Sequence, residues 1–251
     1  MTLEQFFFKY PRGALAFSGG VDSAYLLWAG IQTGAEIRPC FVKTAFQPRF
    51  ELEDGKKLCE QLGVQMTVIE YDVLSDSQIA ANPAGRCYLC KRRLLSIMKE
   101  WAAAEGLPLL LDGTNASDDT GDRPGMRALR ELEVRSPLRE CGLTKERIRE
   151  LSREAGLFTW DKPSYACLAT RIPCGRPISP KDLERVERGE ELLGKMGFRD
   201  FRLRLTEGGG KLQVLEHQIP LVQERRADIL AALKTDFSEL TLDLQPRIPT
   251  D

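Results

Sequence analysis

The 251-residue sequence predicts an α/β fold, a parallel-sheet domain followed by a small α+β domain, and three observations carry that prediction. Short apolar runs alternate with helical stripes through the first 111 residues, the pattern of a parallel sheet with helices on both faces. The first run, Ala14 to Phe17, stops abruptly at Ser18-Gly19-Gly20. Near residue 163 the alternation gives way to proline-rich, irregular sequence, and a shorter mixed pattern follows.

Residues 14–17 read as a buried strand. Residues 22–33 carry Ala24, Leu27 and Ile31 three and four apart, one face of a helix. A strand then fits residues 36–45, a helix 49–62 and a strand 65–72. A long helix over 89–105 precedes a strand over 107–111, closed by Asp112-Gly113. Thr144 is a good N-cap for a helix with the stripe Ile148, Leu151, Ala155, ending at Gly156. Pro163, Pro173, Gly175 and Pro177 interrupt any long element, and Ser179-Pro180 opens a helix facing inward with Leu183, Val186, Leu193 and Met196. A strand (201–205), a Gly208-Gly209-Gly210 turn, a strand (212–219), a helix (221–234) and a strand (239–244) complete the chain. The expected domains are 1–162 and 176–251, joined by an irregular segment, 163–175.

Lys and Arg number 36 against 37 Asp and Glu, a net charge of -1 that gives no global reason to bind nucleic acid. No apolar run of about 18 residues is present, so no membrane span is expected. Seven cysteines with no export signal point to metal or redox chemistry in the cytoplasm rather than to disulfides. Cys40 and Cys59 fall on apolar faces and read as small core residues.

Ser18-Gly19-Gly20-Val21-Asp22-Ser23 joins the first strand to the first helix. Glycine N–H groups ahead of a helix N-terminus form a concavity suited to phosphate oxygens, with Ser18 and Ser23 as further donors and Asp22 for Mg²⁺ or the helix dipole. The segment is neither a Walker loop nor a dinucleotide fingerprint. Cys87 and Cys90 form a C-x-x-C at the start of the long helix, and Cys167 lies in the irregular segment. Three such cysteines suit an iron–sulfur cluster with one open iron, or zinc completed by a fourth ligand such as Cys174.

SGGVDS in this setting resembles the pyrophosphatase-loop (PP-loop) ATPases, of the adenine nucleotide alpha hydrolase-like fold. The segments NPAGRCYLCK (82–91), DGTNASDD (112–119), RPGMRA (123–128), VRSPL (134–138), GLTKERIREL (142–151) and TWDKPSYACLATRIPCG (159–175) follow in order. Together they look like the LarE family of ATP-dependent sulfur transferases, over roughly residues 10–205. The resemblance implies adenylation of a carboxylate of pyridinium-3,5-biscarboxylic acid mononucleotide, followed by sulfur insertion, for nickel-pincer cofactor biosynthesis. It also implies a homo-oligomer, hexameric in the family, and an external sulfur donor.

By that resemblance Ser18, Gly19, Gly20, Asp22, Ser23 and Asn115 hold ATP and Mg²⁺, and Cys87, Cys90 and Cys167 hold a 4Fe-4S cluster carrying an extra sulfide. In a second branch of the family, a cysteine matching Cys167 surrenders its own sulfur. Thr170, Arg171, Glu190, Arg202 and Arg204 would surround the substrate phosphate. Arg202 and Arg204, alternate residues on a strand, also read as solvated side chains. His217, the one histidine, reads as a strand residue without a catalytic part, Trp160-Asp161-Lys162 as a packed Trp beside a surface ion pair, and the arginine-rich stretch 123–153 as a solvated or subunit-contact face. Where family members carry a His-rich segment and a Gly-Tyr-Arg tail, this chain has residues 206–211 and 245–251. The rival readings are a PP-loop tRNA thiolase and a zinc-stabilised nucleotide-binding protein without catalysis.

Overall fold

The structure, a computed structural model, describes residues 1–118 and 124–248. The end of DGTNASDD, the start of RPGMRA and the last three residues of the tail lie outside them. In chain order the elements are α1 (Leu3–Lys9), β1 (Arg12–Ala16), α2 (Val21–Gln32), β2 (Glu36–Lys43), α3 (Arg49–Gln61) and β3 (Thr67–Glu70). There follow α4 (Ser77–Ala80), α5 (Arg86–Ala104), β4 (Leu110–Leu111), α6 (Pro124–Glu131), α7 (Pro137–Glu140) and α8 (Lys145–Glu154). The last are α9 (Pro180–Lys195), β5 (Arg202–Leu205), β6 (Gly210–Gln213), α10 (Ile219–Glu224), α11 (Arg226–Leu233) and β7 (Leu240–Leu242).

The chain divides into two compact units. The first, residues 1–44, 49–71 and 85–162, holds a four-stranded, all-parallel sheet in the order β3-β2-β1-β4. Because side chains alternate across a strand, β1 sends Leu15 to one face and Ala14 to the other. Leu15 joins Phe6, Phe7, Leu26, Leu27, Leu58 and Ile148 from α1, α2, α3 and α8. Ala14 joins Cys40, Val42, Leu95, Met98 and Ala128, which brings α5 and α6 to the opposite face. The connections after β1 and before β4 therefore use opposite faces, and the chain reverses between these two neighbouring strands. Ligand crevices of parallel α/β sheets open at such a reversal, beyond the carboxyl ends of the strands.

The second unit takes residues 163–251 together with 45–48 and 72–84. Backbone bonds from Leu168 to Phe46, from Ile178 to Ala80 and from Gly175 to Asn82 fasten those short segments in it. Its sheet runs β5-β6-β7, the first pair antiparallel and the second parallel. Two expectations fail here. The strand expected over 212–219 ends at Gln213, because a 3₁₀ turn, Glu216–Gln218, takes over and places His217 on the surface. The helix expected over 221–234 is two helices, parted at Arg225. Both N-caps read from sequence form: Thr144 accepts from the Arg147 amide and Ser179 from the Asp182 amide. Among the described residues no helix is long and apolar enough to cross a membrane.

Candidate active site

The glycine turn lies at the carboxyl end of β1, and Asp112-Gly113-Thr114-Asn115 at that of its parallel neighbour β4. Gly19 turns the chain with φ +69°, and a Cβ there would stand 3.0 Å from the Glu51 carbonyl oxygen. Glycine alone meets both conditions. The Ser18 amide donates to Ser23 Oγ at 3.3 Å, the Gly20 amide to Ser18 Oγ at 3.3 Å, and the two hydroxyls lie 3.1 Å apart. Gly20 caps α2 with no side-chain bond, so the first turn of α2 keeps amide donors for an anion. A Cβ on Gly113 would come within 3.0 Å of the Ser23 amide, so the β4 loop packs directly on the glycine turn.

Asp22, on that first turn, accepts from Asn115 Nδ2 at 3.3 Å through one oxygen and from Lys145 Nζ at 2.5 Å through the other. Buried Asp112 braces the β4 loop by accepting from the Thr114 hydroxyl (2.5 Å) and the Ser136 hydroxyl (2.6 Å). Lys162 donates to the Gly19 carbonyl at 3.3 Å and pairs with Asp54 at 2.6 Å. Sequence reading missed both lysines. Lys145 stood behind the more obvious Thr144 cap, and Lys162 was read as a surface residue although its side chain is only 17% exposed. Trp160, expected to be packed, is 39% exposed instead.

Cys87 lies on the first turn of α5 and Cys90 one turn further on, Cys87 exposed and Cys90 half-buried. The Arg86 guanidinium lies 3.6 Å from Cys87 Sγ and donates to it. A pair of soft sulfur donors one helical turn apart suits iron or zinc. Among the described residues no group of three or more His, Cys, Asp or Glu side chains is gathered as a metal site. Cys40 and Cys59 are buried in the core, and burial pushes their thiols up to about 12 and about 11.

In the second unit Cys167 precedes a 3₁₀ turn, Leu168–Arg171. The Thr170 hydroxyl donates to the Cys167 carbonyl at 2.8 Å. Arg171, its side chain wholly buried, grips Glu190 through two bonds of 2.9 and 3.0 Å and donates to the Ala166 carbonyl and to Thr170 Oγ1. Glu190 accepts further bonds from the Tyr165 hydroxyl (2.5 Å) and the Leu203 amide (2.8 Å). Burial alone would lower the Arg171 pKa; the Glu190 carboxylate more than offsets it and holds the cation.

The solvated reading of Arg202 and Arg204 is overturned: Arg202 is buried, Arg204 half-buried, and both point into the unit. Arg202 donates to the Ser164 carbonyl (2.7 Å), and Arg204 to the Thr170 carbonyl (2.5 Å) and to Gln213 (2.6 Å). Burial first, then repulsion from Arg171 and Arg247, pushes Arg202 down to about 10 and lowers Arg204 in the same way. Crowded, partly desolvated cations of this kind favour an anionic ligand. Arg247, absent from the sequence-based set, completes the crowding through its bond to Asp200 at 2.9 Å.

No protein-family model matches the chain. An uncharacterized protein of Synechocystis sp. is 33% identical over 250 residues, covering 97% of this chain and 92% of that protein. The pyridinium-3,5-bisthiocarboxylic acid mononucleotide synthase of Lactiplantibacillus plantarum is 29% identical over 210 residues, 83% of this chain and 76% of the synthase. An uncharacterized protein of Methanocaldococcus jannaschii is 27% identical over 238 residues, with 95% and 91% covered.

Proposed function

Because the chain belongs to the LarE-like family, we propose that it transfers sulfur to a carboxylate of a pyridinium dicarboxylate mononucleotide, for nickel-pincer cofactor biosynthesis. One arrangement supports this above all. The Cys167 carbonyl, at the head of the 3₁₀ turn, accepts from Thr170 and Arg171 of that turn, and the Thr170 carbonyl accepts from Arg204 of β5, so a sulfur-bearing residue and a group of arginines gather on one short segment.

A carboxylate is a poor electrophile, and ATP activates it. A carboxylate oxygen attacks the α-phosphorus, the bond to the bridging oxygen breaks, and pyrophosphate leaves. A sulfur nucleophile then displaces AMP from the acyl-adenylate. Ser18, Gly19, Gly20 and Ser23 receive the phosphates, and Asp22 with Asn115 would hold Mg²⁺, which spreads their charge. Arg202, Arg204 and Thr170 bind the substrate's own phosphate. Arg171 and Glu190, saturated by each other, position that turn rather than touch the ligand. Cys87, Cys90 and Cys167 would hold a 4Fe-4S cluster, which supplies a labile sulfide. The reading includes a homo-oligomer in the cytoplasm and an external sulfur donor.

The test is anaerobic purification with assays for iron, sulfide and zinc, then incubation with Mg-ATP, the pyridinium substrate and a sulfide source. We expect about four irons per chain, lost in Cys87→Ala, Cys90→Ala or Cys167→Ala. AMP, pyrophosphate and a thiocarboxylate product should form, and Cys167→Ala should keep ATP–pyrophosphate exchange while losing AMP release and sulfur insertion. Zinc without iron, or loss of one H₂S from the protein itself, would overturn the cluster reading and leave adenylation standing.

A further inference from the structure

Arg86 opens α5, one residue past the Gly85 cap and directly ahead of Cys87. It is 7% exposed, and arginine is seldom buried so far without a group that answers its charge. Its Nη2 lies 3.6 Å from Cys87 Sγ and donates to it. Helix stability does not account for a cation here. A helix N-terminus favours acids, yet the first turn of α5 has none, and Gly85 supplies no side-chain cap. Lys91, Arg92 and Arg93 follow on the next turns, so positive charge gathers toward the end where the helix dipole repels it. An anion at the head of α5 would answer both.

A neutral thiol is no such anion, but a metal-bound cysteine is a thiolate. Groups that donate to a metal's ligands fix their orientation and strengthen the metal's hold on them. Of the three cysteines in the proposed ligand set, Cys87 is the exposed one, Cys90 and Cys167 being half-buried. A site that gives up a sulfide has to keep its protein ligands through every turnover, and the ligand open to water gains most from a second hold. Positive charge and a hydrogen bond at a ligand sulfur also favour the reduced, more negative state of an iron–sulfur cluster.

We propose that Arg86 is a positioning residue whose guanidinium holds the metal-bound sulfur of Cys87 through an N–H···S bond and raises the electron affinity of the bound cluster. The proposal rests on the cluster reading and adds to it a residue outside the ligand set. Arg86 exchanges no atom with substrate; it acts through Cys87 alone.

The test loads the full chain anaerobically with iron and sulfide and reads the midpoint potential rather than turnover. In Arg86→Met we expect the reduction equilibrium to fall about tenfold, a shift of about 59 mV to more negative potential for one electron. The metal-free protein, titrated with Co²⁺ and followed by sulfur-to-metal absorption, should bind about 10- to 100-fold more weakly. Arg86→Lys should show a smaller change in the same direction in both measurements. It carries the test if thermal unfolding shows that Arg86→Met does not fold. Arg92→Met is the control, since it removes the same charge from a side chain of α5 stacked on the Tyr88 ring, 5.6 Å from its centre. Its potential and Co²⁺ affinity should stay near those of the unaltered protein. Unchanged potential and Co²⁺ affinity in the Arg86 variants overturn this proposal alone. So does an equal shift in Arg92→Met, the mark of general charge rather than of a bond to sulfur. An unaltered protein that takes up no cluster overturns the cluster reading as well, which separates the two failures.

Discussion

Glu190 has both carboxylate oxygens committed, to the Arg171 guanidinium, the Tyr165 hydroxyl and the Leu203 amide. Glu190→Gln removes the charge that keeps wholly buried Arg171 ionised at no net penalty, and stability should drop by about 3–5 kcal/mol in urea titrations. Arg171→Met in the same protein should restore part of that loss, because the orphaned cation is then gone. Additive single effects would show the pair to be uncoupled. Sequence reading found these residues by motif, and placed Arg171 on the substrate. It grouped Glu190 there too, but the direct pairing of the two, 19 positions apart, leaves no mark in the local sequence. Lys145 and Lys162 escaped for the same reason, since their partners lie 123 and 143 positions away.

Elements were legible where one physical signal dominated. Thr144 and Ser179-Pro180 begin helices in the expected places because capping chemistry is local. Thr144→Ala should cost about 1 kcal/mol in thermal or urea unfolding. Thr144→Ser should leave stability nearly unchanged. Helix α1 was not legible. Phe6-Phe7-Phe8 carries no period, and only the reciprocal Thr2–Gln5 capping box marks its start. Strand β6 was read too long because Leu212 and Val214 alternate correctly, while the 3₁₀ turn that ends the run has no such pattern.

At the scale of the molecule, the parallel sheet followed from alternation, but its order did not, since strand pairing depends on contacts far apart in the chain. The membership of residues 45–48 and 72–84 in the second unit was equally hidden, resting on bonds to residues far along the chain, among them backbone bonds to residues 168, 175 and 178 and those of the Asn82 side-chain amide to the Pro173 and Arg176 carbonyls. The two core thiols give a global prediction. Cys40 and Cys59 lie on opposite faces of the sheet, and burial raises both from 9.0, to about 12 and about 11. A raised folded-state pKa means stability present in full below 9.0 and lost as pH climbs through the folded values. Urea midpoints should therefore fall between pH 9 and 11, less steeply in Cys40→Ala. A slope unchanged by that substitution would assign the alkaline loss to other groups.

The spacing along the chain of the residues around the glycine turn has a consequence for synthesis. The glycine turn and its strand neighbours β2 and β3 leave the ribosome early and pair over short stretches of chain. The groups that complete the crevice arrive much later: Asn115 first, Lys145 next and Lys162 last. A nascent chain shorter than this carries the turn without its cations or its bracing loop. On the proposed adenylation reading, the growing protein stays unable to grip ATP until nearly all of the first unit has emerged, and cannot spend the nucleotide while half made.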